Sequence, residues 1–165
     1  MTATSNEGAD LLSYLSQQRE HVLGILENLP EEAMRRPVLP TGWTCAGLVQ
    51  HLTMDVERFW FRQVMAGEQL QPDEFTGNAW QVQPEVSAEA VLQRYQREID
   101  RADKIITATS LEAPPAWWPD FFAPSFHLDN LRQVLLHVIT ETACHAGHLD
   151  AARELVDGQT WLILP

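Results

Sequence analysis

From Leu131 to Asp157 the chain sets Leu131, Val134, Leu135, Val138, Thr142, Leu149 and Val156 at helical spacing, with no proline to interrupt the run. A stripe of that length must be covered by other helices, which constrains the fold more than any other stretch. The stripe is not wholly apolar. Residues three and four apart share a helix face, so Glu141, His145 and His148 line up along a side that overlaps it. A carboxylate and an imidazole aimed at a core are costly unless something pairs with them. A metal ion would satisfy them together, and would need a further ligand from elsewhere in the chain.

The covering helices are legible upstream. Leu11, Leu15, Val22, Ile25, Leu26 and Leu29 have helical spacing over Glu7 to Leu29, and Pro30 ends that segment. Pro30, Pro37 and Pro40 mark the linker to Gly42 as a surface crossing rather than an element. Thr44 is placed to cap a second helix that Gly67 stops after Ala66. Its apolar face is Cys45, Leu48, Val49, Leu52, Val56, Phe59 and Trp60, with His51 on the flank and Asp55 and Arg58 following. Residues 67–86, with Phe75 and Trp80, read as a long loop. Ser87 caps a third helix to about Thr109, striped by Val91, Leu92, Tyr95, Ile99, Ala102, Ile105 and Ile106.

Residues 111–128 combine Pro114, Pro115, Pro119 and Pro124 with Trp117, Trp118, Phe121, Phe122 and Phe126. Such a connection either folds over something apolar or caps one end of the assembly. Asp129 or Asn130 caps the last helix and Gly158 terminates it. Residues 1–6 are expected to be loose, and the apolar tail Trp161 to Pro165 to pack back. Without strand-period alternation or repeats, the pattern predicts an all-α four-helix bundle with long connections, one domain over residues 1–165.

A formal net charge of −12 disfavours sequence-independent binding to nucleic acid or to anionic membrane. No secretory signal is evident, and no apolar run approaches a membrane span. Cys45 and Cys144 read as free thiols filling space in a reducing compartment, so a cytoplasmic location is expected. The apolar tail and surplus of aromatics leave room for a homodimer, for which no heptad or symmetry signal speaks.

Glu141 and His145, at i and i+4, can reach one ion from successive turns, and His51 lies beside the core face of the second helix. One carboxylate and two imidazoles leave an open position, the pattern of catalytic rather than structural zinc. His148 is either a fourth ligand or a neighbour of one. Asp55, one turn after His51, either orients that ring or is a solvated carboxylate. The competing reading is a hydrogen-bonded polar patch, with Glu141 or His145 paired to Arg58 or a tryptophan N–H. Glu-x-x-His motifs of the di-iron type are absent from these helices, as is His-Glu-x-x-His. His21, His127 and His137 read as surface or satisfied groups rather than ligands, although His137, one turn before Glu141 on the edge of the same face, is also placed to support the ligands from behind. Asp150, Arg153 and Asp157 read as a helix-face charge ladder.

Two stretches together carry a family resemblance: Gly42-Trp43-Thr44 with Leu48-Val49-x-His51-Leu52 and Glu57-x-x-Trp60, and Glu141-x-x-x-His145-x-Gly147-His148-x-Asp150-x-x-Arg153. They resemble the DinB-like superfamily over nearly the whole chain. That superfamily includes damage-inducible DinB proteins, mycothiol-dependent maleylpyruvate isomerase and bacillithiol-using S-transferases. The resemblance implies a four-helix bundle with one divalent metal, zinc or nickel, in a three-ligand site. Matched by position, the ligands are His51, Glu141 and His145, the histidine–glutamate–histidine variant. The isomerase carries a further C-terminal domain that 165 residues cannot hold, which argues against that exact activity. What the resemblance implies is a small-molecule enzyme using a low-molecular-weight thiol, as S-transferase or isomerase, with the metal activating thiol or water. A metal-dependent hydrolase, or a non-catalytic stress or ligand-binding protein with a structural metal, fits the same residues.

Overall fold

The computed structural model describes residues 6–70 and 77–161. The expectations for residues 1–5, for Phe75 and for the end of the tail, 162–165, lie outside the described residues. Residue 6 is not loose, since the Asn6 carbonyl accepts from the Asp10 N–H at 3.0 Å.

Among the described residues the chain is all-α, with helices α1 (Glu7–Ile25), α2 (Glu31–Arg35), α3 (Cys45–His51), α4 (Ala88–Ala108) and α5 (Leu131–Asp157). Side chains set three of the starts. Thr44 accepts from Gly47 N–H, Ser87 from Ala90 N–H and Asn130 from Gln133 N–H. At the far end of α5, Gly158 takes φ +76°, the left-handed conformation that glycine adopts without penalty.

The second long helix departs from the α-helical expectation. After His51 the chain continues unbroken over Leu52–Met65 as a π-type helix, bonded i→i+5, as Ala66 N–H to Phe61 O at 3.0 Å illustrates. The reason is visible in the burial pattern. His51, Asp55, Phe59 and Gln63 are half-buried or exposed, and every residue between them is buried. At about 100° per residue a spacing of four drifts about 40° per step in an α-helix, and about 120° by the third. The wider turn cancels that drift and keeps all four on one face. The 3.6-residue reading had placed Phe59 on the core stripe; it belongs to this outer rail.

Two further expectations are corrected. The proline-rich crossing contains α2, whose Met34 is wholly buried in the core, and whose Glu31 accepts the Ala88 N–H at 2.7 Å, capping α4 from outside. Arg153 is not part of an exposed ladder. It is 1% exposed and donates to the carbonyls of Ile25 and Glu27, satisfying the C-terminal end of α1, while Asp157 and Gln159 hold its other nitrogens. Asp150 pairs instead with His21 at 2.8 Å.

Contacts fix the directions. Glu7 meets Arg132 and His21 meets Asp150, so α1 and α5 run parallel. Trp60 meets His137 and His51 meets His145, so α3 and its π extension run against α5. Residues 6–12 face 106–111 while Leu23 to Leu29 face Ala88 to Leu92, so α4 runs against α1. The order is up, down, down, up. Consecutive parallel helices need a return connection the length of the bundle, which is why residues 67–86 are long.

At the centre Arg19 of α1 grips Glu57 of the π segment with two bonds of 2.7 and 2.6 Å and reaches Asp103 of α4 at 2.7 Å. Arg19 and Glu57 are both buried. Removing one member of such a pair strands a charge, so Arg19→Met should cost about 3–5 kcal/mol in urea unfolding, whereas Arg19→Met/Glu57→Leu should recover most of it. A loss near zero for the single variant would show that the pair carries no such burden.

Candidate metal centre

His51 ends the regular turn of α3, and Glu141 and His145 project from successive turns of α5. Antiparallel packing brings them together, and one donor atom from each lies within 4.8 Å of the others. The His51 Nδ1 is 2.9 Å from Asp55 Oδ2. A carboxylate only accepts, so Nδ1 carries the hydrogen and Nε2 keeps its lone pair for a ligand. His145 Nε2 stands 3.6 Å from Glu141 Oε2, beyond hydrogen-bond range. Burial first, and the neighbouring His51 second, hold the His145 imidazole down to about 4, so it is neutral at pH 7 and available as a donor.

This set fits a divalent cation. A tetrahedral ion with bonds of ~2.1 Å needs donors roughly 3.4 Å apart, which small side-chain rotations supply here. Two imidazoles and one carboxylate also leave room for an exchangeable ligand. His148 is exposed and sits outside the trio, its Nδ1 3.4 Å from Nδ1 of His145.

Trp80 forms a wall of the site that sequence reasoning missed. Its indole stacks on His51 at 4.2 Å and 17°, and lies 6.0 Å from the ring of His145. The loop reaches that position because residue 47 is glycine. A Cβ there would lie 2.4 Å from the Trp80 carbonyl oxygen. Gln50, buried on α3, then fixes the loop by donating to the carbonyls of Ala79 and Gln81.

Beside the trio opens a pocket of about 380 Å³ lined by His51, Asp55, Phe59, Trp60, Phe121, Phe122, His137 and Glu141, with Val56. The aromatic connection supplies one wall: Phe122 stacks on Trp60 at 5.8 Å and 5°, and Phe121 is 72% exposed at the rim. His137, edge-on to Trp60 at 4.7 Å, is pushed below the usual histidine range by burial. It thus lines the pocket as a neutral polar group, a larger role than its sequence position suggested.

Residues 10–158, from α1 through the cap of α5, match the family model described as Mycothiol-S-transferase. The chain belongs to this family. No curated protein and no solved structure matches it.

Membership in the mycothiol S-transferase family directs attention to the site rather than to the chain's own thiols. Cys45 is buried and its thiol is pushed up to about 11, chiefly by burial. Cys144 is exposed on the outer face of α5, which corrects its reading as a packing residue. His127 packs tilted against Trp118, and Trp161 stacks on His21, both away from the trio. Among the described residues no helix is long and apolar enough to cross a membrane.

Two outcomes follow from this geometry. The unfolded chain binds a proton at His145 near 6.5 and the folded chain only near 4. Between those values the unfolded state holds more protons, so the metal-free protein should lose thermal stability as pH falls from about 6.5 to about 4. His145→Gln should flatten that slope in chelator-treated samples; an unchanged slope would remove His145 as its cause. Gly47→Ala should displace Trp80 from His51 and weaken metal binding about tenfold, read by competition with a chromophoric chelator. Wild-type affinity in that variant would show that the Trp80 wall is dispensable.

Proposed function

We propose that the protein is a divalent-metal-dependent S-transferase that joins mycothiol to a neutral, largely aromatic electrophile. The observation that carries this reading is the juxtaposition of the His51–Glu141–His145 trio with a 380 Å³ aromatic pocket that shares two of those residues. Zinc or nickel bound by that trio would lower the pKa of a coordinated thiol and so make thiolate available at neutral pH.

The chain's own groups do the rest. Asp55 holds the His51 ring in one tautomer through the 2.9 Å bond. Trp80 covers the far side of His51 and keeps water from that face. Phe59, Phe121 and Phe122 offer ring faces and edges to a planar electrophile, and no Lys or Arg lines the pocket to favour an anionic one. His137 gives the pocket one neutral hydrogen-bonding group, suited to a carbonyl or nitro oxygen of the electrophile. A cavity of this size accepts a small ligand of one or two rings, since about 150 Å³ already holds benzene.

The test supplies mycothiol and a bimane or nitroaromatic electrophile to metal-loaded protein, beside His51→Ala and His145→Ala variants analysed for metal. Conjugation should be lost on chelation and regained with added zinc or nickel, and each variant should fall at least about 100-fold in activity with most of its metal gone. Full metal stoichiometry in both variants would sink the ligand set. Conjugation that persists after metal removal would sink the metal-dependent mechanism.

A further inference from the structure

A second pocket adjoins the other side of the His51–Trp80 stack. It is about 330 Å³ and is lined by Thr41, Gly42, Trp43, Asn78, Trp80 and Gln81. Its chemistry differs from that of the aromatic pocket. None of the six described residues that line it is ionisable. Two indoles, two carboxamides and a hydroxyl form a set that offers flat apolar faces together with donors and acceptors, and no charge.

The pocket is built rather than incidental. One wall, residues 41–43, leads directly into the Thr44 cap of α3, after a turn in which Gly42 N–H donates to Leu39 O and Gly42 takes φ +78°. The opposite wall, residues 78–81, is held by the buried Gln50 side chain and by the close approach over Gly47. Asn78 Oδ1 accepts the Trp80 N–H at 3.0 Å, which fixes the side chain and leaves its NH₂ group as a donor. Both walls therefore hang from the first two turns of the helix that carries His51. Trp43 also meets His148 at 6.2 Å, on the flank of His145.

We propose that this pocket binds the uncharged, polyhydroxylated part of the thiol cosubstrate, so that thiol and electrophile approach the trio from opposite sides of the His51–Trp80 stack. A ring with axial C–H groups packs on an indole, while its hydroxyls exchange hydrogen bonds with carboxamides, and no ionic partner is needed. Mycothiol, a cysteine derivative carried on a glucosaminyl-inositol, has this chemistry. A thiol that presents carboxylates would find no cation among the lining residues. The inference rests on the thiol-transferase reading, and its test separates the two.

Binding of glucosaminyl-inositol, N-acetylated so that its nitrogen is a neutral amide as in mycothiol and lacking a thiol, is measured by calorimetry on the metal-loaded protein, and steady-state kinetics are run with mycothiol. Trp43→Ala and Gln81→Ala should each weaken glucosaminyl-inositol binding and raise KM for mycothiol about tenfold, leaving kcat and the electrophile's KM within about twofold. Trp43→Phe should recover most of the loss, because it restores an aromatic platform. Gln81 is exposed, so its variant keeps the fold even if Trp43→Ala does not. Wild-type binding and KM in Gln81→Ala, or in a folded Trp43→Ala, would overturn the subsite while leaving the transferase reading intact. Glucosaminyl-inositol binding that the variants weaken, in a protein that conjugates no electrophile, would uphold the subsite and overturn the reading.

Discussion

The Arg19–Glu57–Asp103 tie is the interaction on which the rest of the arrangement depends. Three long helices meet at one guanidinium, and its main partner lies on the π-type segment. That segment turns Glu57, Arg58 and Arg62 inward as well as Val56, Trp60, Phe61 and Val64. Burying charge on a helix that is also widened is costly unless each charge finds a partner. Arg19 meets Glu57, and Arg62 meets Glu68 and Glu98. With those partners in place the widened turn holds, and the outer rail of His51, Asp55, Phe59 and Gln63 stays on one face. The first three of these line the aromatic pocket. Charge pairing in the core and the position of His51 at the pocket are thus set by one helix.

The same helix organises the site from its other end. Thr44 begins it, Gly47 admits the Trp80 backbone, Gln50 binds the loop carbonyls and His51 presents its ring to α5. Four functions within eight residues explain why a long parallel return loop can still place an indole reproducibly against a histidine. A loop's own backbone carries little positional information, and here a buried side chain supplies it.

Much of this could be read from the residues. Caps at Thr44, Ser87 and Asn130 and the glycine at position 158 have local causes, so local sequence exposes them. Glu141 and His145 stand out because an i, i+4 pair on a buried face is visible within one turn, and His51 because it lies beside the apolar face of the second helix with Asp55 one turn on. What stayed hidden depends on contacts distant in sequence. A period of four between residues 51 and 63 is too close to 3.6 to be noticed without burial. Arg153 looks like a ladder charge until the end of α1 is known to lie against it, 128 positions away. Trp80 sits in a stretch with no periodicity at all, and the close approach of its backbone over Gly47 shows only in the structure.

Charge decides which thiol the assembled site can favour. The chain carries a net charge of −12, and among the described residues neither pocket beside the trio is lined by Lys or Arg, while Asp55 and Glu141 line the aromatic one. An anionic cosubstrate would meet repulsion at long range and find no bidentate partner at contact. A divalent ion held by the trio would offset the local carboxylates but would leave the polar pocket uncharged. Recognition there must come from ring faces and neutral hydrogen bonds, which discriminate through shape and unsatisfied donors rather than through ion pairing. On the thiol-transferase reading proposed above, a site built this way would disfavour thiols that present carboxylates, without a dedicated gate. The same absence of cations beside Asp55 and Glu141 would disfavour anionic electrophiles in the aromatic pocket, so one property of the surface would act on both proposed substrates.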